Sequence, residues 1–421
     1  MTTPWTERYA QRMQWVRSSA IRELLKLTAQ PDIISFAGGL PAPELFPVAE
    51  FTAATERVLQ KHGPQALQYS TTEGYAPLRD YIVRKMAAYG IKADADNVLI
   101  TSGAQQALDL IGKLLLNPGD RILTERPTYL GAIQSWRAYQ AEFVTVNIDD
   151  QGLQTDHLAE ALSTGPKFMY ILPNFQNPTG VTLSLERRLQ LIEMANTYGV
   201  PIIEDDPYGE LRYDGEHIPP LVVLDAERFQ RGKPFEEGNV IYLGTFSKTL
   251  APGLRLGWMV APRRVIERSV LVKQGMDLHT STLTQMMAYE VIQNGFLKEH
   301  VSQIRRVYKE RRDLMLAMMD RYFPSDVVWT RPSGGLFLWV TLPSYMVATS
   351  LLEKALARKV AFVPGDSFYP SALQANTFRL NFSNALPDQI ETGIRRLGEV
   401  LTDELETERK QMVWPNPAFV G

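Results

Sequence analysis

Between residues 98 and 262 the chain repeats one pattern: a short apolar run, a polar turn, then a stretch with apolar residues at helical spacing. The runs are NVLIT, DRILTE, AEFVTVNI, KFMYILP, VPIIED, VIYLGT and LGWMVAP. Strands that alternate with crossover helices build a mainly parallel sheet covered by helices. Ligands of such sheets collect beyond the carboxyl ends of the strands, so the polar residues just after these runs are the candidates for chemistry. After residue 262 the period is helical through MMAYEVIQNGFLKEHVSQIRRVYKERRDLMLAMMDRYF. Strand character then returns in GGLFLWVTLP, KVAFVPG and TFRLNFS, around a helical SYMVATSLLEKALAR. The expectation is an α/β fold, with a large domain over residues 46–300 carrying a mainly parallel seven-stranded sheet and a smaller α+β domain over residues 301–421. Residues 1–45 form an arm with a helix near SSAIRELLKLT, followed by ISFAGGLPAPELFP, whose Gly and Pro argue against regular structure.

Composition removes several function classes. A net charge of −3 over 421 residues offers no general attraction to nucleic acid or to an anionic membrane. The chain has no cysteine, so disulfides and thiolate metal sites are out. Its five histidines include no pair at helical ligand spacing, and no metal is expected. The start, MTTPWTERYAQRMQWV, lacks the apolar core of a signal peptide, and no eighteen apolar residues run together. A cytoplasmic protein that binds neither nucleic acid nor membrane is expected.

Five loops carry polar residues in positions that suit chemistry. LITSGAQQALDL is a strand, a small-residue turn and a helix start, which gathers free backbone amides and the positive end of a helix dipole at Gly103, Ala104 and Gln105. Tyr129 in ERPTYLGA follows another strand end, where a tyrosine is more often half-buried packing than a ring platform. Asn177 opens a Pro-Thr-Gly turn, which is also ordinary turn chemistry. In VPIIEDDPYGE three acids, Glu204, Asp205 and Asp206, follow an apolar strand; an inward carboxylate needs a partner, and solvated loop acids are the alternative. TFSKTLAPGLRLGW sets one lysine, Lys248, among hydroxyl residues, with Arg255 seven positions on. Together a phosphate cradle, a ring-stacking aromatic, Asn and Tyr donors, an acid and one activated lysine fit pyridoxal 5′-phosphate, an electron sink held by lysine with an acidic partner on its ring nitrogen.

TFSKTLAPGLRLGW resembles the S-x-S-K-x-x-x-P-G-x-R-x-G motif of fold-type I pyridoxal-phosphate aminotransferases. With FAGGLP, LQYSTTEGYAPLR, TSGAQQALDL, NPTG and EDDPY in the same order, the chain resembles the branch of 2-aminoadipate and kynurenine aminotransferases, related to the effector lobes of MocR-type regulators. Thr245 departs from the Ser many relatives carry but keeps the hydroxyl.

The resemblance implies that Lys248 bears the cofactor as a Schiff base and moves the Cα proton. It implies that Asp205 pairs with the ring nitrogen, Asn177 and Tyr208 bond the ring hydroxyl, and Tyr129 stacks on the ring. Gly103, Ala104, Gln105, Thr245, Ser247 and Arg255 would hold the phosphate, with Tyr69 reaching it from the other subunit of a homodimer. Arg379 in TFRLNFS would clamp the substrate carboxylate with Asn177, while Gly39 and its neighbour Gly38 would let the arm approach the ligand and Arg22 would meet a distal carboxylate. The implied reaction runs ping-pong between an L-amino acid (2-aminoadipate, aromatic or branched-chain) and a 2-oxo acid such as 2-oxoglutarate. A lyase or decarboxylase on the same fold, and a non-catalytic effector-binding protein of MocR type, are the competing readings.

Overall fold

The apolar runs form the strands of one sheet, and a single short connection within it decides where the chemistry sits. The structure is a computed structural model and describes residues 3–16, 32–230, 235, 237–371 and 374–413. In spatial order the strands are Val98–Thr101, Gly257–Val260, Val240–Thr245, Ile202–Asp205, Met169–Ile171, Arg121–Arg126, Glu142–Asp149 and Gly152–Leu153. The sheet therefore has eight strands rather than seven. The extra one, Gly152–Leu153, pairs back on Ile148–Asp149 after the two-residue turn Asp150–Gln151, which the chain leaves through Gly152 at φ +94°, a hairpin too short for the apolar pattern to reveal.

Only Gly257–Val260 and that short strand run against the others. A parallel return needs a crossover of about a dozen residues or more, usually a helix. The segment from Phe246 to Leu256 holds only a turn and the short 3-10 helix Pro252–Leu254. The chain consequently comes straight back, leaving Lys248 and Arg255 together at the carboxyl edge of the parallel strands.

One face of the sheet, with Leu99, Ile122, Tyr170, Leu172, Ile203, Leu243 and Met259, packs on the helices Ala104–Leu115, Leu130–Arg137 and Arg263–Gln274. The opposite face, with Val98, Leu123, Met169, Ile171, Ile202 and Val240, packs on the helices Ala76–Ala88 and Leu185–Tyr198 among others. A second, antiparallel sheet has the order Val328–Trp329, Phe337–Thr341, Thr377–Asn381, Val363–Pro364. Its core is built with the long helices Phe296–Tyr322 and Pro387–Val413 through Ile304, Tyr308, Met315, Leu338, Leu380, Ile394 and Leu397.

Two local expectations change. The helical run from Met286 onward breaks between Thr282–Ile292 and Phe296–Tyr322, because Asn294 (φ +60°) and Gly295 (φ +85°) take left-handed backbone. The arm is not wholly irregular: Ile34–Ser35 forms a two-residue strand parallel to Val360–Ala361, and Phe36 and Ala42 join the core of the second sheet. The helix expected near residues 18–28 lies outside the described residues. Among the described residues no helix is long and apolar enough to cross a membrane.

Candidate active site

Where the parallel strands end, a cavity of about 400 Å³ opens. Lys248, Asp205, Asn177, Tyr208 and Arg255 line it, as do Ala104, Gln105, Tyr129, Thr245, Ser247, Gly39 and Arg379. Among the described residues its charged lining is three cations (Lys248, Arg255, Arg379) and one carboxylate (Asp205). That balance suits a ligand carrying more than one negative charge. A larger cavity of about 520 Å³, between Asn147–Asp150 and Trp329, contains none of these residues.

The pleat sorts the three acids. Glu204 and Asp205 point to opposite faces because side chains alternate along a strand. Glu204 is buried and accepts the amides of Leu221 (2.7 Å) and Val222 (2.8 Å), the first of the helix Leu221–Gln230; burial lifts its pKa to about 8. Asp206 accepts from Asn174 Nδ2 (2.9 Å) and Tyr242 OH (3.2 Å). Asp205 alone lines the cavity; Tyr170 OH donates to its Oδ2 at 2.7 Å, and Oδ1 has no partner among the described residues. Burial raises the pKa of Asp205 to about 7, opposed by the Tyr170 hydrogen bond.

Lys248 Nζ donates to the carbonyl of Gly39 at 2.7 Å. Burial, and then the charges of Arg379 and Arg255, push its pKa down to about 8. The desolvated pocket is thus the main cause, and Arg379 contributes ahead of Arg255. Across the cavity Arg379 is buried in the strand Thr377–Asn381, its Nη1 on Asn177 Oδ1 (2.7 Å) and its Nη2 on the carbonyl of Ala37 (2.8 Å). The guanidinium lies between the rings of Phe337 (4.2 Å) and Phe368 (5.0 Å). No acidic side chain pairs with it among the described residues, and its Nε has no partner. A buried cation without a counter-ion is costly and asks for an anion from outside the chain.

The turn before the helix Ala104–Leu115 makes the opposite end of the cavity. Gly103 takes φ +83°, and a Cβ there would overlap the Arg255 guanidinium. Gly257 lets its strand approach Ala104 N to 2.8 Å from where a Cβ would stand. Arg255 itself is held in left-handed backbone (φ +52°) after Pro252–Leu254, which costs about 1 kcal/mol or more for a non-glycine residue. The amides of Ala104 and Gln105 are first-turn donors with no preceding helix carbonyl. Thr245 Oγ1 donates to Leu256 O (3.0 Å) and accepts from Ser247 N (3.1 Å), so the threonine holds the Lys248 loop with the hydroxyl a serine would use. The loop geometry, the amides and the cation form an oxyanion cradle that fits a phosphate group.

The profile of the family "Aminotransferase class I and II" matches residues 32–397. The chain belongs to the class I and II aminotransferases. It is 44% identical to aromatic-amino-acid aminotransferase 1 of Thermococcus litoralis, over 96% of each chain. It is also 44% identical to the 2-aminoadipate transaminase of Thermus thermophilus, over 94% of this chain and 97% of that one. A crystal structure of alpha-aminoadipate aminotransferase from Thermus thermophilus, complexed with N-(5'-phosphopyridoxyl)-L-leucine, superposes with a TM-score of 0.89 at 43% identity over 96% of this chain and all of that one.

Two of the expected site residues of this aminotransferase, Gly103 and Tyr69, do not line the cavity. Gly103 sits just beneath it, under Arg255. Tyr69 is 79% exposed, edge-on to His279 at 6.0 Å. Arg22 lies outside the described residues. Sequence reasoning missed Phe337 and Phe368, which sandwich Arg379, and the arm carbonyls that hold Arg379 and Lys248. It also missed Tyr170, which period-2 alternation alone would have put on the same face as Leu172 but not beside Asp205.

Proposed function

We propose that this aminotransferase transfers the amino group of an L-amino acid (2-aminoadipate, aromatic or branched-chain) to a 2-oxo acid such as 2-oxoglutarate. Pyridoxal phosphate is its cofactor. When bound, it supplies an aldehyde that takes up the amino group and a ring that accepts the electrons released at Cα. The residues fit it: the cradle of Ala104, Gln105, Thr245, Ser247 and Arg255 would take the phosphate, and the free Oδ1 of Asp205 the ring N–H. Asn177 and Tyr208 would take the ring hydroxyl, and Tyr129 the ring face.

Lys248 supplies an amine with a depressed pKa, able both to bind the aldehyde and to carry the Cα proton on Nζ. Arg379 and Asn177 bind the α-carboxylate and thereby orient the Cα–H bond. The observation that carries the reading is the pairing, in one cavity, of an uncompensated buried guanidinium with a depressed lysine amine. Residues 46–300 would then be the cofactor-binding part and 301–421 the smaller part. Residues 1–45 would be a lid whose Phe36 already packs in the smaller part's core. The exposed Tyr69 supports a homodimer in which each copy reaches the other's cavity.

The test is the visible spectrum of the holoenzyme during single additions of 2-aminoadipate, phenylalanine, kynurenine, leucine and glutamate. Conversion of the cofactor to its amino form, reversed by 2-oxoglutarate, is expected and ranks the donors. A spectrum that shifts without reversible conversion would refute transamination of these donors.

The pH dependence has a definite sign. Below about 8 the Lys248 amine is protonated and cannot attack; above it the amine is neutral. The apoprotein should attach added pyridoxal phosphate faster as pH rises from about 6.5 to about 8, then level off above about 9. Stopped-flow absorbance reads this rate, and a rate that stays flat across the window counts against Lys248 as the attaching amine.

A further inference from the structure

Tyr170 stands on the strand Met169–Ile171, beside the strand that ends in Asp205. Register pairs Tyr170 with Ile203 and Ile171 with Glu204, so the pleat puts Tyr170 and Asp205 on one face. The tyrosine is fully buried, its ring edge-on to Trp136 at 5.0 Å. Trp136 is itself pinned by its indole N–H on the carbonyl of Leu108 (3.0 Å). The one hydrogen bond of the phenol runs to Asp205 Oδ2, at 2.7 Å.

A carboxylate has two oxygens. With Oδ2 taken from within the sheet, Oδ1 is left without a partner in the cavity wall. We propose that Tyr170 is a positioning residue for the cofactor: by holding Oδ2 of Asp205 it directs Oδ1 at the ring nitrogen and keeps the carboxylate ionised there. Two features support this. Burial and the neighbouring Asp205 keep the phenol proton in place far above its ordinary range, so the group is a donor at every working pH. Burial, and to a lesser degree the charge of Asp206 behind the strand end, disfavours ionisation of Asp205, and the Tyr170 hydrogen bond is the interaction that opposes them. A donor to a buried carboxylate is among the stronger hydrogen bonds.

The inference rests on the reading that Asp205 faces the ring nitrogen, and one experiment separates the two. The apoprotein is titrated with pyridoxal phosphate and with its carbocyclic analogue, in which C–H replaces the ring nitrogen, for the wild type and for Tyr170→Phe. The wild type should bind the natural cofactor more tightly. Tyr170→Phe should lose roughly tenfold in affinity for it and bind the analogue as the wild type does. Equal losses for both ligands, as from a packing defect, would overturn the role of Tyr170, and so would no loss at all. A wild type that does not discriminate between the ligands would instead overturn the Asp205 reading. A second measurement does not depend on the single variant: in an Asp205→Asn background, adding Tyr170→Phe should leave cofactor affinity unchanged, and a further tenfold loss would refute action through Asp205.

Discussion

Lys248→Ala is expected to lower turnover by roughly 10⁴-fold or more, because in the proposed function one change removes both the attaching nucleophile and the group that carries the Cα proton. The variant should fold, since the side chain makes a single hydrogen bond, to Gly39 O, at the wall of an open cavity. The decisive readout is covalent. After borohydride treatment the wild-type chain should carry the mass of the cofactor on Lys248, and the variant should carry none. A variant that still traps the cofactor on another residue, or that turns over at more than about a hundredth of the wild-type rate, would remove Lys248 from the centre of the chemistry.

The second large effect belongs to Arg379. Arg379→Ala should lower kcat/KM by about 2–4 kcal/mol, thirty- to a thousandfold, and by the same factor for leucine, phenylalanine and 2-aminoadipate. The uniformity follows from the geometry. The guanidinium is buried between Phe337 and Phe368 and meets Asn177, and in the proposed function it binds the α-carboxylate that every donor shares rather than the side chain. Arg379→Lys keeps the charge but loses the planar fork, and should recover only part of the loss. Steady-state kinetics with the three donors checks this. A loss confined to the acidic donor would place Arg379 on the distal group instead. Because the wild-type guanidinium has no acidic partner among the described residues, truncation orphans no described carboxylate, and the kinetic loss reports substrate binding.

The sheet-edge residues were legible because each lies within a few positions of a strand end. Ala104, Gln105, Tyr129, Asn177, Asp205, Tyr208 and Lys248 all follow apolar runs, and strands linked by crossovers must present those ends together. Arg255 was implied by the resemblance of TFSKTLAPGLRLGW, and the structure supplies the reason: the eleven residues from Phe246 to Leu256 hold no crossover helix, so the chain folds straight back. What stayed hidden was short or distant. The Gly152–Leu153 strand has only two residues, and the break at Asn294–Gly295 rests on left-handed backbone inside an otherwise helical pattern.

By itself, then, the sequence determined the α/β class, the edge of the sheet where ligands gather, and the residues within reach of that edge, since alternation of apolar period and loop length are local properties. Only the tertiary structure showed why Asp205, of three adjacent acids, faces the cavity, that Tyr170 holds it, that Arg379 meets Asn177 across 202 positions of chain beside the carbonyl of Ala37, and that Lys248 reaches the carbonyl of Gly39. Periodicity says which face a side chain takes. It does not say which strand lies beside it or which lobe closes over it, because those contacts are set by the packing of segments far apart in the chain.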